Sequence, residues 1–378
     1  MAKAGEIEGL DCRADAARGI RLVLSSRLDE MISYRDAALV AEDPEGVHDM
    51  RVASRRLRSA LRDFAPHMNE KRVAGVRVEL EKLADALGRV RDLDVETEAL
   101  EEAAREAPKG TRAGVEARAR AQRAESAQAR EVLAAELDDD ALARLRAEFA
   151  DALTKALGAA RSRRKGKGSG VGRREGSFDD VGREVIVARW EELRARASSL
   201  YRPFKTRRLH KTRISAKRLR YALELFTPCL GEELRDFAEE VKRMQKSLGE
   251  VHDCDERIKS LGGELAGREG AEGVGVAESS GAGAREERAE TSAWLFDYFV
   301  ERRNLHFREA FARWRAWGRE GFESRLRACV GGQESEGVRA AAEDEAKEGG
   351  DGKEARKRRP GRGAKAPRGG RASPKDAS

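Results

Sequence analysis

Two stretches of this chain are copies of one another. Residues 47–66 read VHDMRVASRRLRSALRDFAP and residues 209–228 read LHKTRISAKRLRYALELFTP, identical at nine of twenty positions. A shorter pair follows each: ALGRVRDLD at 86–94 and SLGEVHDCD at 247–255. The offsets, 162 and 161 residues, are nearly equal. The chain therefore consists of two homologous halves, each of which must place the same two segments in the same kind of surroundings.

The repeated segments are helical. Place His48 at 0° and advance about 100° per residue. Arg51, Arg55, Arg58 and Arg62 then share roughly 80° of arc with it. Met50, Ala53, Leu57, Ala60, Leu61 and Phe64 fall on the opposite side. The second copy places His210, Arg213, Lys217 and Arg220 on the cationic face, with Leu219, Leu223 and Phe226 on the apolar one. Glu224 stands where Arg62 stood, so the second row is one cation shorter.

The rest of the chain extends this reading. Charged residues make up 38% and hydrophobic ones 39%, and there are only eight prolines, a balance that suits amphipathic helices. Helices are predicted over 11–40, 46–64, 70–89, 94–106, 112–136, 140–158, 178–199, 205–226, 231–250 and 285–317. No apolar–polar alternation bounded by turn residues argues for strands. Gly88 and Gly249 read as left-handed helix caps, and Asp92 and Asp253 as the N-caps that follow. Pro66 and Pro228 read as stops just after the key helices. The expected division is a first helical bundle over 8–160, a basic Gly/Ser linker over 161–177, and a second bundle over 178–330. A Gly/Ala/Glu loop at 262–284 would interrupt the second bundle, and a basic unstructured tail would cover 331–378.

A row of cations one turn apart, about 5.4 Å, repels itself. Like charges at this spacing destabilise a helix by a few tenths of a kcal/mol per pair. A linear polyanion laid along the row would supply the missing counter-charge, and Arg forks onto phosphate oxygens. The plain alternative is a solvated or acid-paired helix face. Retention of the cations in both copies, while neighbours such as Asp49/Lys211 and Ser59/Tyr221 differ, favours a ligand. On the second motif helices, Lys82 and Arg89 in the first copy and Arg243 and Lys246 in the second keep basic character away from the core.

Other chemistry is weakly signalled. The net charge is +7 with a pI near 9.3, which admits polyphosphate, nucleic acid or an anionic surface as partner. The cysteines, Cys12, Cys229, Cys254 and Cys329, contain no C-x-x-C pair and do not read as a disulfide framework. His252, Asp253, Cys254 and Asp255 resemble metal ligands superficially, but the first copy has Arg91, Asp92, Leu93 and Asp94, so no metal and no cofactor are expected. His67 and His306 read as incidental, and Asp138, Asp139 and Asp140 as a helix start. No signal peptide and no membrane span are expected, and a cytoplasmic location follows by default.

The two motif pairs resemble the CHAD family, the conserved histidine α-helical domain. Its pattern is H-x-x-R-x-x-x-[RK]-R-L-R followed by L-G-x-[VH]-[RH]-D. Here these are His48 to Arg58 with Leu87 to Asp92, and His210 to Arg220 with Leu248 to Asp253. The resemblance implies an all-α fold of two pseudo-symmetric four-helix bundles with a basic channel between them. It implies binding of inorganic polyphosphate and association with polyphosphate granules. By motif position it assigns that role to His48, Arg51, Arg55, Arg58, His210, Arg213, Lys217 and Arg220, with Lys82, Arg89, Arg243 and Lys246 around them, and Arg62 joins them from its place on the cationic face. Lys217 in place of Arg, Glu250 opposite Arg89, and the 161–177 insertion depart from the pattern. Some relatives are fused to a triphosphate tunnel domain with an E-x-E-x-K motif, which this sequence lacks. The expected protein is thus not an enzyme. The alternatives are a nucleic-acid binder using the helices and tail, or an accessory to polyphosphate metabolism. The sequence leaves oligomeric state and chain-length preference open.

Overall fold

A computed structural model describes residues 5–40, 44–165, 176–267 and 282–331. The central parts of the expected linker and loop, and the tail after Gly331, lie outside the described residues. All regular structure within them is helical apart from one antiparallel bridge between Asp15 and Ser177. The helices are α1 (Ala16–Ser33), α2 (Arg35–Leu39), α3 (Pro44–Asp63), α4 (Glu70–Glu106), α5 (Lys109–Glu136) and α6 (Asp139–Lys165). The second half supplies α7 (Phe178–Arg196), α8 (Thr206–Leu230), α9 (Glu233–Leu265), α10 (Ala282–Arg319) and α11 (Phe322–Gly331). None of them is long and apolar enough to cross a membrane.

Local chemistry explains most boundaries. Asp15 accepts from the backbone of Arg18 at 3.1 Å and starts α1. Pro44 is the first residue of α3, where its missing N–H costs nothing. The Asp180 carboxylate accepts from the backbone of Ser177 at 3.0 Å and closes the start of α7.

Several sequence expectations need correction. α4 runs unbroken through Gly88 and Asp92, and α9 through Gly249 and Asp253, so neither Gly is a cap and neither Asp an N-cap. Among the described residues the positive-φ glycines are Gly9, Gly231, Gly267 and Gly321 instead. Pro228 does not stop α8; the helix continues to Leu230 and ends at Gly231, whose φ is 119°. One lost hydrogen bond near a helix end is tolerated when the flanking turn stays bonded, here Gly231 N to Thr227 O at 3.1 Å. Residues 262–265 belong to α9 and 282–284 to α10 rather than to a loop. α11 has no counterpart among the predicted helices.

Apolar side chains from both halves fill the main core. Phe64, Phe178 and Phe226 form a buried triad with ring centroids 5.2 to 6.2 Å apart. Phe64 and Phe226 are the equivalent residues of the two copies, so the repeat meets itself here. Close packing around the triad requires Gly19 and Gly182: a Cβ on either would sit 2.5 Å from the ring of Phe178 or Phe226, respectively. A smaller second core joins Leu100, Ala103 and Val115 of α4 and α5 to Leu261, Leu295 and Phe299 of α9 and α10. Burial of these side chains stabilises by about 25 cal/mol per Å² of apolar surface.

Cys12 and Cys229 are joined by a disulfide, contrary to the sequence expectation. They lie 217 residues apart in sequence, and only the fold brings them together. The backbone of Asp179 donates to Cys12 O at 2.9 Å, which lays the N-terminal segment across the start of α7.

Candidate functional site

α3 and α8 bring the two cationic rows to one place. Apolar residues on their far faces are buried, with Met50, Leu57, Phe64, Leu219 and Phe226 at 0% exposure. The cations of the two rows lie within electrostatic reach of one another, Lys217 of α8 being influenced by Arg55, Arg51 and Arg62 of α3. An open groove of about 770 Å³ is lined by residues of α3, α4 and α5 together with Lys217 of α8, while His48, Arg62, His210 and Arg213 are not part of its lining. Arg51, Arg55, Arg58, Arg89 and Lys217 line it, and Asp85, Asp92, Glu96 and Glu125 form its acidic flank.

The outer cations of the groove already hold carboxylates. Arg51 donates to Asp92 at 2.8 Å, Arg58 to Glu81 at 3.4 Å and Arg89 to Glu125 at 3.0 Å. In each pair the carboxylate side chain is largely exposed, and such pairs contribute about 0–1 kcal/mol. A polyvalent anion can displace them at small cost.

The centre is different. Among the described residues no carboxylate forms an ion pair with Arg55, Arg213 or Lys217. Burial pushes the Lys217 amine down to about 7, and Arg55, Arg213, Arg51 and Arg62 push it further in the same direction. Burial also lowers Arg55, opposed by Tyr221 and reinforced by Arg51 and Arg220. Arg62 is lowered by burial and then by Arg218. The Nε of Arg55 is buried without a hydrogen-bond acceptor among the described residues. Half-buried cations with no counter-charge raise one another's free energy, and an anion entering the cluster would lower it.

The histidines sit beside this cluster. Burial lowers the pKa of His48, with Arg91 and Arg55 adding to it. His210 is lowered by burial and then by His252, whose ring lies 4.2 Å away between centroids. His252 is itself lowered by burial and by Arg213. All three are therefore neutral at neutral pH and can donate one N–H to an anion. His210 Nδ1 is buried and without a partner among the described residues.

Gly88 and Gly249 lie beside the arginines of the cluster. A Cβ at Gly88 would meet the Arg51 guanidinium at 3.9 Å, and one at Gly249 would meet Arg213 Nε at 3.7 Å. The same Arg crosses the same Gly in each half. Both distances are ordinary van der Waals contacts, so the packing places the Arg beside the Gly without requiring a glycine there.

Other predicted residues are not gathered in. Arg220 is buried over the Tyr221 ring and pairs with Glu224 at 3.5 Å. The Glu that replaced Arg62 thus draws the last cation of the second row to itself. Lys82 is exposed and bonded to Glu79 at 2.9 Å. Arg243 and Lys246 are exposed on α9 and do not line the groove.

Sequence reasoning missed Arg91, His252, Tyr221 and Arg218, all of which bear on the charges of the cluster. Arg91 and His252 occupy equivalent repeat positions, and that shared basic character was the available signal. Asp255, considered above as a metal ligand, instead accepts from Arg303 at 2.5 Å, and Asp94 at its equivalent position accepts from Arg130 at 2.7 Å. Cys254 is buried, with its thiol pushed up to about 12.

Comparison with known proteins follows this geometry. A family model described as the CHAD domain matches residues 22–262. The crystal structure of the CHAD domain from the plant Ricinus communis is similar over 82% of this chain and 95% of its own, at 24% identity and a TM-score of 0.57. PptA from Streptomyces chartreusis is similar over 80% of this chain and 100% of its own, at 14% identity and a TM-score of 0.51. At these identities the likeness shows the fold. No curated protein matches the sequence significantly.

Proposed function

The chain belongs to the CHAD domain family, and from that premise we propose that it binds inorganic polyphosphate along the groove lined by α3, α4 and Lys217 of α8. One observation carries the reading: Arg55, Lys217 and Arg213 lie together, partly buried, without a carboxylate partner among the described residues, and Lys217 is lowered to about 7 by burial and by four neighbouring guanidinium groups. A chain of phosphates supplies negative charge at every repeat and suits a row of cations one helical turn apart. Arg51, Arg55, Arg58 and Lys217 make the contacts within the groove, and a chain longer than the groove reaches Arg62 and Arg213, with His48 and His210 as neutral donors. Arg89 extends the row after leaving Glu125. Lys82, Arg220, Arg243 and Lys246 contribute at most long-range attraction. Recruitment to polyphosphate granules follows from the same affinity. We read the protein as acting by binding rather than by chemistry.

The test is direct titration of the full chain with long-chain polyphosphate at physiological salt. Reversing charge with Arg51→Glu and Arg213→Glu together should weaken binding at least ~100-fold, two lost charge-assisted contacts being worth a few kcal/mol, with helicity retained. Deleting residues 332–378 should weaken it only a few-fold. The opposite ranking, or displacement of polyphosphate by duplex DNA at equal phosphate concentration, overturns the proposal.

A further inference from the structure

The turn that feeds α8 is not used by the groove, and it carries an unusual surface. Residues 201–208 read YRPFKTRR. Phe204 is 85% exposed and Tyr201 63%, among the most exposed large apolar side chains described. Arg202, Lys205, Arg207 and Arg208 around them are exposed too, and no ion pair holds any of the four among the described residues.

This surface is held rigidly. Lys205 N donates to Arg202 O at 3.0 Å and closes the turn. Arg303, itself buried, donates to Pro203 O at 2.6 Å and to Asp255 at 2.5 Å. Tyr201 stands edge-on to Phe311, with centroids 5.2 Å apart. A buried ion pair thus fixes a turn whose tip displays a bare aromatic ring between cations.

The charges also oppose the fold. α8 has no acidic residue in its first turn and no side-chain cap. Arg207 and Arg208 therefore sit at the positive end of a helix dipole, where an anion would be favoured. The other copy of the repeat shows that the scaffold does not demand this: Glu42, Asp43 and Glu45 stand in sequence where Phe204, Lys205 and Arg207 stand here.

We infer that residues 201–208 form a second polyanion site, which binds single-stranded nucleic acid by stacking bases on Tyr201 and Phe204 while the flanking cations hold the phosphodiester backbone. Aromatic rings interleaved with arginines at intervals of one to three residues suit that ligand, since every base offers a π-face and every link a phosphate. A duplex conceals its base faces. A lipid surface would be better served by apolar side chains gathered at one depth, whereas here Phe204 stands between Arg202 and Lys205 and Tyr201 is followed by Arg202. The inference uses none of the groove residues and stands whether or not the groove binds polyphosphate.

The experiment measures fluorescence anisotropy of a labelled oligouridylate of about twelve nucleotides against the full-length chain at physiological salt. Phe204→Ala should weaken binding about tenfold, the usual worth of one stacked base, and Phe204→Trp should restore it. Affinity for polyphosphate should be the same in all three proteins. An abasic strand of equal length should bind wild type and Phe204→Ala alike. Equal affinity of wild type and Phe204→Ala for the oligouridylate overturns the inference. So does a Phe204-dependent association with phosphatidylserine vesicles in the absence of oligouridylate binding, which would make the turn a lipid-contacting element.

Discussion

Lys217 offers a measurement that distinguishes a cation cluster awaiting an anion from a merely solvated helix face. Its amine has a pKa of about 7 in the free protein, lowered by burial and by Arg55, Arg213, Arg51 and Arg62. A phosphate chain entering the cluster supplies negative charge and returns the pKa toward the ordinary value of about 10.5. Binding is then linked to protonation. At pH 8 the free protein holds about 0.1 proton on Lys217 and the complex about 1, so binding takes up about 0.9 proton. At pH 6 the free amine is already about 0.9 protonated and uptake falls to about 0.1. The sign follows directly: raising pH removes a proton that binding must put back, so affinity falls. Between pH 6 and pH 9 the loss is about 90-fold. The assay is calorimetric titration with long-chain polyphosphate in buffers of different ionisation enthalpy. The slope of observed against buffer enthalpy counts the protons. His48, His210 and His252 are held below their ordinary value, so their part is confined to the acid end of the range. Lys217→Arg removes the titration, since guanidinium stays charged throughout. Its affinity should be flat from pH 7 to 9 and should exceed wild type by about tenfold at pH 8. A flat wild-type profile over that range, or an equal slope in Lys217→Arg, refutes the reasoning.

Other expectations follow from the same structure. In the unliganded protein the charged Lys217 costs stability in full below about pH 7, and the cost fades as pH rises toward 10.5. Lys217→Met should therefore be more stable than wild type at pH 6, by about 2 kcal/mol, with the gap closing at pH 10 in thermal denaturation. With about six cations engaged, log K should fall with log salt at a slope near −4 by analogy with single-stranded nucleic acid; a slope shallower than −2 would mean that most of the row is idle. Reduction of the Cys12–Cys229 disulfide should lower stability by about 2–4 kcal/mol, and Cys12→Ser should make the melting temperature indifferent to reductant.

The duplication made the helical class and the two cationic faces legible, because a 3.6-residue period survives in each copy. What failed was punctuation. Gly88 followed by Asp92 looks like a stop and a restart, yet Gly in a helix interior costs only about 1 kcal/mol relative to Ala. The long apolar faces of α4 and α9 outweigh that. The centre of the site was readable from Arg55 and Lys217, but their separation from carboxylates was not. Glu81, Asp92 and Glu125 reach the outer arginines from other helices or other turns, and a helical wheel of α3 contains none of them. Arg220 was misplaced because its fate depended on a neighbour, Glu224, whose departure from the repeat was noted while its pull on Arg220 was not. The disulfide was hidden by distance along the chain.

The triad of Phe64, Phe178 and Phe226 has an evolutionary corollary. A duplicated segment whose two descendants interlock through their own matching aromatics can no longer be inherited, trimmed or exchanged one half at a time. Freed from identical duty, the two copies differ: one carries four arginines in its row, while the other carries a titratable amine and follows an aromatic turn. Division of labour between twins is what the shared hydrophobic knot permits.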